Sequence, residues 1–212
     1  MPTATETQHE TQLVRLDKSA LVEAKTILFH AYRDEPTFQF LFDRHRPGYE
    51  QRIRATLREG LELHFASGQD ALGVLVDGKL AAVAFISTED ARSGLSQQFN
   101  WRIRMILTAG LACTRRYMDY HEQILKLLPE GMCHYLPFIG VDPAYQRHGL
   151  GRTLMEAVEQ ICRESPVSSG IALDTGNSRY IRFYTSLGYK PCGEIELGPV
   201  KEVVLFKSMV SE

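Results

Sequence analysis

Residues 141–154, VDPAYQRHGLGRTL, constrain this chain more than any other stretch. The apolar run CHYLPFIGV at 133–141 reads as a strand that stops at Asp142-Pro143, where proline removes a donor and fixes φ. Apolar residues return at helical spacing, with Leu154, Ala157, Val158 and Ile161 on the inner face of a helix predicted over about 149–163. Strand, tight loop and helix thus follow in immediate succession. Gly149 and Gly151 remove side chains where the helix begins, leaving N–H groups open to an anion at the positive end of the helix dipole. Arg147, His148 and Arg152 add positive or donor groups, and Thr153 adds a hydroxyl. This is the chemistry of a diphosphate cradle. Two rival cradles fail on spacing. A dinucleotide fingerprint needs a third glycine at 154, which is Leu, and a P-loop needs Gly at 146 and Lys at 152, which are Gln and Arg. Alone, the stretch also suits a plain glycine-rich turn before an ordinary helix.

The rest of the chain supplies strands and helices around this unit. LVRL at 13–16 reads as a first strand, preceded by a disordered tail over 1–11. Ser19 is placed to cap a helix over about 20–32, and a second helix is predicted over about 48–66. Between them Pro36 and Pro47 bracket an aromatic-rich stretch, PTFQFLFDRHRP. Asp77-Gly78 between two apolar runs is a strong hairpin signal. IALD at 171–174 is a short buried strand, Asn177 opens a helix closed by Gly188, and two final strands flank Gly198-Pro199. A helical insert over about 92–130 carries Arg92, Arg102, Arg104, Arg115, Arg116 and Lys126 against Asp119 and Glu122, and reads as a solvated basic face. Trp101 within it reads as a packing residue. The fold class is α/β (α+β). A mixed, mostly antiparallel sheet of about seven strands is flanked by helices, in one domain over 12–212.

Downstream of the loop come Leu173-Asp-Thr-Gly-Asn177 and Phe183-Tyr184-Thr-Ser-Leu-Gly188-Tyr189. Here the chain resembles the GNAT superfamily of acyl-CoA-dependent N-acyltransferases. The family loop Q/R-x-x-G-x-G/A matches Gln146 through Gly151. The later pattern N-x5-F-Y-x3-G-F matches Asn177, Phe183, Tyr184 and Gly188, with Tyr189 for the usual Phe. The likeness covers 131–207, and DEPTFQFLF looks like the substrate-side loop of members related to antibiotic N-acetyltransferases.

The resemblance implies acetyl-CoA as acyl donor and a primary amine of a small molecule as acceptor, joined by direct attack in a ternary complex. It places backbone groups of Ile139, Gly140 and Val141 along the pantetheine arm. Gln146, Arg147, His148, Gly149, Leu150, Gly151, Arg152 and Thr153 hold the diphosphate, Asn177 contacts the pantetheine or caps its helix, and Tyr184 faces the thioester sulfur. With a thiol near ~8.5 and a phenol near ~10, full proton transfer from Tyr184 is uphill by roughly 2 kcal/mol, so stabilising the thiolate suits it better. Counting back from Val141 by twos puts Ile139, Pro137 and Tyr135 on one face, taken as the acceptor side. Tyr135 then lines the acceptor pocket, and His134 reaches it as a base only if Pro137 marks a bulge. Asp34 and Glu35 are further base candidates, and a water chain is an alternative to all of them. Rival readings are acetylation of a protein lysine or N-terminus, and a catalytically silent acyl-CoA-binding regulatory module. The insert favours the small-molecule pocket, since extra helices cover the groove that a peptide needs.

Composition closes other classes. The net charge of −2 argues against a nucleic-acid partner. No apolar run approaches the roughly 18–20 residues of a membrane span, and the polar N-terminus lacks a signal-peptide core, so a cytoplasmic chain is expected. Cys113, Cys133, Cys162 and Cys192 are widely spaced with no zinc pattern, so no metal is expected. Dimers are frequent among relatives of this kind, which leaves a homodimer open.

Overall fold

A computed structural model describes residues 10–88, 95–129, 131 and 133–209. Residues 1–9 of the expected tail, and 92–94 and 130 of the expected insert, lie outside these. The first strand, β1, spans Thr11–Arg15, so it takes in the last position of the expected tail. Next come α1 (Leu21–Tyr32), α2 (Pro36–Leu41), α3 (Tyr49–Ala66), β2 (Ala71–Val76) and β3 (Lys79–Ser87). The insert follows as α4 (Leu95–Ala109) and α5 (Leu111–Leu127). The second half holds β4 (His134–Val141), α6 (Leu150–Glu164), β5 (Gly170–Thr175), α7 (Ser178–Ser186), β6 (Lys190–Leu197) and β7 (Val200–Ser208).

The strands form one seven-stranded sheet in the order β1-β2-β3-β4-β5-β7-β6. Every neighbouring pair is antiparallel except β4 and β5. That mixed sheet with helices on both faces is the fold class expected. Asp77 and Gly78 both take positive φ at the β2–β3 turn, the conformation that a two-residue hairpin of this twist requires. Ser19 is not the cap of α1: Asp17 accepts from the Ser19 N–H and opens a short 3-10 turn that leads into the helix.

Two cores sit on opposite faces of the sheet. One gathers Leu28, Phe38, Phe42, Leu57, Met105 and Ile124 under α1–α5. The other gathers Leu136, Leu154, Val158, Leu173 and Tyr189 under α6 and α7. Gly140 lets α1 lie close on β4, since a Cβ there would stand 3.1 Å from both Leu28 and Ala31. The buried Arg52 donates to the carbonyls of Phe42, Asp43, Arg46 and Pro47, and this ties the α2–α3 loop and fixes α2. The insert breaks at Gly110, where φ is 86° and ψ 154°. Arg104 anchors α4 on α3 through Glu59 at 3.1 Å and Glu62 at 2.9 Å. The Arg116 guanidinium anchors α5 on α2 through the Leu41 carbonyl at 3.1 Å.

Candidate active site

The gap between β4 and β5 makes the site. These strands pair only at His134↔Ile171 and Tyr135↔Ala172, then separate. From there β4 runs on with its outer edge unpaired by any strand. Beside the split lies a bulge: two steps on β3, Phe85 to Ser87, face three on β4, Phe138 to Tyr135. Pro137 sits inside it, and a residue without an N–H suits such a break in the ladder.

The bulge reverses the facing of the strand's first half. Leu136, Ile139 and Val141 belong to the α6 side, whereas Tyr135 and Phe138 belong to the α1–α5 side. Ile139 and Tyr135 therefore do not share a face, as simple alternation had them do. Tyr135 still lines the cavity, because the acceptor side is the other face. His134 lies on the α6 side, with Nδ1 2.7 Å from Ser168 Oγ, and does not line the cavity. Its expected route to a base role through the bulge is thus reversed: the shift carries it away.

A cavity of about 360 Å³ runs through the split and touches both faces of the sheet. On the α6 side Gln146, Arg147, Gly149, Leu150, Gly151 and Arg152 line it, together with Ile139, Gly140 and Val141. Arg147 and Gly149 take positive φ at 67° and 84° and turn the chain sharply into α6. Gln146 donates to the Val141 carbonyl at 3.3 Å and closes the turn onto the strand. A Cβ at Gly149 would meet nothing within 4 Å, so the start of α6 stands open. Open N–H groups at the first turn of a long helix, two flanking arginines and a free strand edge together fit a pantetheine diphosphate. His148 and Thr153 do not line the cavity. Asn177 does not either: its Oδ1 accepts from the Arg179 N–H at 3.0 Å as the cap of α7, and its amide donates to Glu35 at 3.0 and 3.2 Å.

On the other face Tyr32, Phe38, Tyr117, Tyr120, His121 and Tyr135 form aromatic walls. The insert thus does more than carry a solvated face, since α5 turns Tyr117, Tyr120 and His121 inward. Trp101 packs on Tyr117 with ring centroids 6.3 Å apart, as a packing residue would. Tyr184 is buried and lines the cavity, and burial pushes its phenol well above the usual range. The Ile139 N–H points into the split and donates to Tyr32 Oη at 3.1 Å.

Three carboxyl groups also line this face: Glu35, Asp174 and Glu202. Burial raises Glu35 above the ordinary glutamate range, against the opposing effect of the Asn177 amide. Tyr120 and Tyr135 donate their hydroxyls to Asp174, and Thr37 donates to Glu202. Glu202 is 2% exposed; burial first, and the charge of Asp174 next, push it up to about 9. At neutral pH Glu202 is therefore protonated, and it shares this wall with the Asp174 carboxyl group.

Of these groups the sequence pointed to Tyr135, Tyr184 and Glu35 and passed over Tyr32, Asp174, Glu202 and the α5 tyrosines. A signal existed for some of them. Val200, Glu202 and Val204 alternate by two, so Glu202 had to share a buried face. Cys113, Tyr117, Tyr120 and Ile124 recur at heptad spacing as the inner stripe of α5.

Residues 28–189 match the acetyltransferase (GNAT) family model. The chain belongs to the GNAT acetyltransferase family. GNAT enzymes are acyl-CoA-dependent N-acetyltransferases, and this chain is one by membership. None of the curated proteins is significantly similar to it in sequence. Among solved GNAT-like structures, a Corynebacterium glutamicum protein described as histone acetyltransferase HPA2 and related acetyltransferase aligns with a TM-score of 0.71 at 18% identity, covering 95% of this chain and 98% of that one. Arylalkylamine N-acetyltransferase 2 from Aedes aegypti gives 0.64 at 16%, over 95% and 100%. The ribosomal-protein-S18-alanine N-acetyltransferase of Escherichia coli gives 0.57 at 17%, over 96% of both chains. At these identities the likeness is one of fold. Among the described residues no helix is long and apolar enough to cross a membrane, and no group of His, Cys, Asp or Glu is placed to hold a metal.

Proposed function

We propose that the chain transfers an acetyl group from acetyl-CoA to a primary amine of a small molecule. The observation that carries this reading is the wall that α5 sets across the acceptor end of the cavity. There α5 closes the sheet face with Tyr117, Tyr120 and His121, where a peptide acceptor would need an open groove. The donor's diphosphate rests on the first turn of α6 between Arg147 and Arg152, and its pantetheine runs along the free edge of β4. The Ile139 N–H holds the acyl oxygen once Tyr32 Oη gives up that bond, a preorganised donor where negative charge develops.

Glu35 takes the proton of the attacking amine. An amine of pKa near ~10.4 arrives as the ammonium ion, and a carboxylate lifted toward the working pH is a better acceptor for its proton than an ordinary one. Tyr184 steadies the departing thiolate by hydrogen bonding. Its raised pKa makes outright proton donation less favourable than for a free phenol, so it acts as a neutral donor.

The test is a titration with acetyl-CoA and CoA, followed by thiol release with a panel of small amines and of peptides. Release with small amines and none with peptides supports the reading; release with peptides alone overturns it. Glu35→Gln should lower kcat by about 100-fold, the usual scale for a general base, and abolish the acid limb of the rate profile. Because burial raises Glu35, that limb should lie above the ordinary glutamate value of ~4.3, with activity rising as pH rises through it. An unchanged acid limb in the variant would remove Glu35 from this role.

A further inference from the structure

The Asp174–Glu202 pair is left over by this chemistry. The proton of the reacting amine goes to Glu35, and the thiolate is met by Tyr184. Yet the Asp174 carboxyl group, with two tyrosine hydroxyls donating to it, stands at the wall of the acceptor end. Among the described residues no ion pair reaches Asp174 or Glu202. The arginines that line the cavity, Arg147, Arg152 and Arg179, sit at the starts of α6 and α7. His121 on α5 also lines the cavity, and burial lowers its pKa, so it is neutral at physiological pH. A charge in a low-dielectric cavity is costly without a partner.

The reacting amine cannot be that partner, because it must be neutral when it attacks. The partner has to keep its charge through the reaction. The walls suit such a group: Tyr117, Tyr120, Tyr135 and His121 line the cavity together with the Asp174 carboxyl group, and aromatic rings attract cations. The two phenols and the Glu202 acid hold Asp174 in place and spread its charge. They leave it room to accept one more hydrogen bond, since a carboxylate offers about four lone-pair sites.

We propose that Asp174, braced by Glu202, binds a second, non-reacting cationic group of the acceptor, so that diamines or guanidino-amines are preferred over monoamines. This rests on the small-amine reading above. The Asp174–Glu202 pair is a specificity determinant, whereas Glu35 serves the proton of the reacting nitrogen.

The experiment compares kcat/KM for chain-matched probes, 1,4-diaminobutane against 1-aminobutane and 1,5-diaminopentane against 1-aminopentane, by thiol release. The wild type should favour the diamine by at least about tenfold, the scale of one charge-assisted contact. Asp174→Asn should bring that ratio close to one. Acetyl-CoA titration of the variant verifies its fold, and Glu202→Gln, which keeps the hydrogen bond to Asp174 and its charge, should retain the preference. Equal rates for diamines and monoamines in the wild type overturn the inference while leaving the small-amine reading intact. So does a diamine preference that survives Asp174→Asn, or a loss of activity toward both probes alike. Should Asp174→Asn fail to fold, a wild-type ratio near one still overturns the inference, and a ratio that falls with rising salt supports it. Thiol release with no amine at all, despite acetyl-CoA binding, fails the small-amine reading itself.

Discussion

Tyr32 occupies the backbone donor that the proposed reaction would use. Its hydroxyl occupies the Ile139 N–H, and its ring stacks on Phe38 at 4.6 Å. In the proposed reaction an acyl oxygen has to displace that hydroxyl, whereas CoA, lacking the oxygen, leaves it in place. Tyr32→Phe should therefore raise the affinity for acetyl-CoA relative to CoA by about five- to tenfold, the worth of one hydrogen bond no longer competed for. Parallel titrations of the two ligands check it, and an unchanged ratio would mean that the acyl oxygen does not use this N–H. Glu202 yields a second prediction. It stays protonated in the folded chain up to about 9, while an unfolded glutamate ionises near ~4.3. Over that interval the folded state binds more protons, so ionisable Glu202 costs stability as pH rises. Glu202→Gln, which cannot ionise, should gain in melting temperature on the wild type between about pH 5 and pH 9. Melting curves that keep a constant offset across that interval would contradict a buried, protonated Glu202.

Among the elements, the β4–loop–α6 unit was the most legible in the sequence and β4's facing the least. Gly149 at positive φ, Asp77-Gly78 in its hairpin and Asn177 as a helix cap are local devices, and each has a residue signature. The two faces of β4 are not local. Alternation by two follows from backbone geometry, but one extra residue at Pro137 inverts it, and the bulge is decided by how β3 and β5 pair alongside. Hence Tyr135 lines the cavity although its reasoned face was wrong, and His134, on paper the alternative, faces Ser168. The α5 wall was missed for a similar reason. Its stripe reads as amphipathic, but nothing local says that the buried side faces a cavity instead of a solid core. The loop itself gives a third prediction. Arg147 takes a left-handed φ of 67° although it carries a Cβ, a conformation that glycine adopts without cost. Under the proposed reading Arg147→Gly should leave the melting temperature unchanged or higher while weakening acetyl-CoA binding by about tenfold, the loss of one charge-assisted contact. Loss of stability without loss of binding would assign the arginine to the fold instead of the cradle.

Across the whole molecule, charge is sorted along the cavity against a net value of only −2. Arg147 and Arg152 line it at the start of α6, and Asp174, Glu202 and Glu35 line it on the α1–α5 face, with Arg179 close to Glu35. An anionic donor and a cationic acceptor each meet the opposite sign, which speeds encounter and suppresses binding at the wrong end. Donor affinity should accordingly fall as ionic strength rises from low salt, and acceptor KM should rise. A donor affinity indifferent to salt would take Arg147 and Arg152 out of the cradle.

The split between β4 and β5 has a kinetic corollary. Because the cavity touches both faces of the sheet, the proposed donor lies beside α6 and the proposed acceptor beside α5, on opposite faces. Under that reading neither ligand occupies the other's place. Spent CoA should compete with fresh acetyl-CoA but not with the amine, and the acetylated product should leave without waiting for CoA to depart.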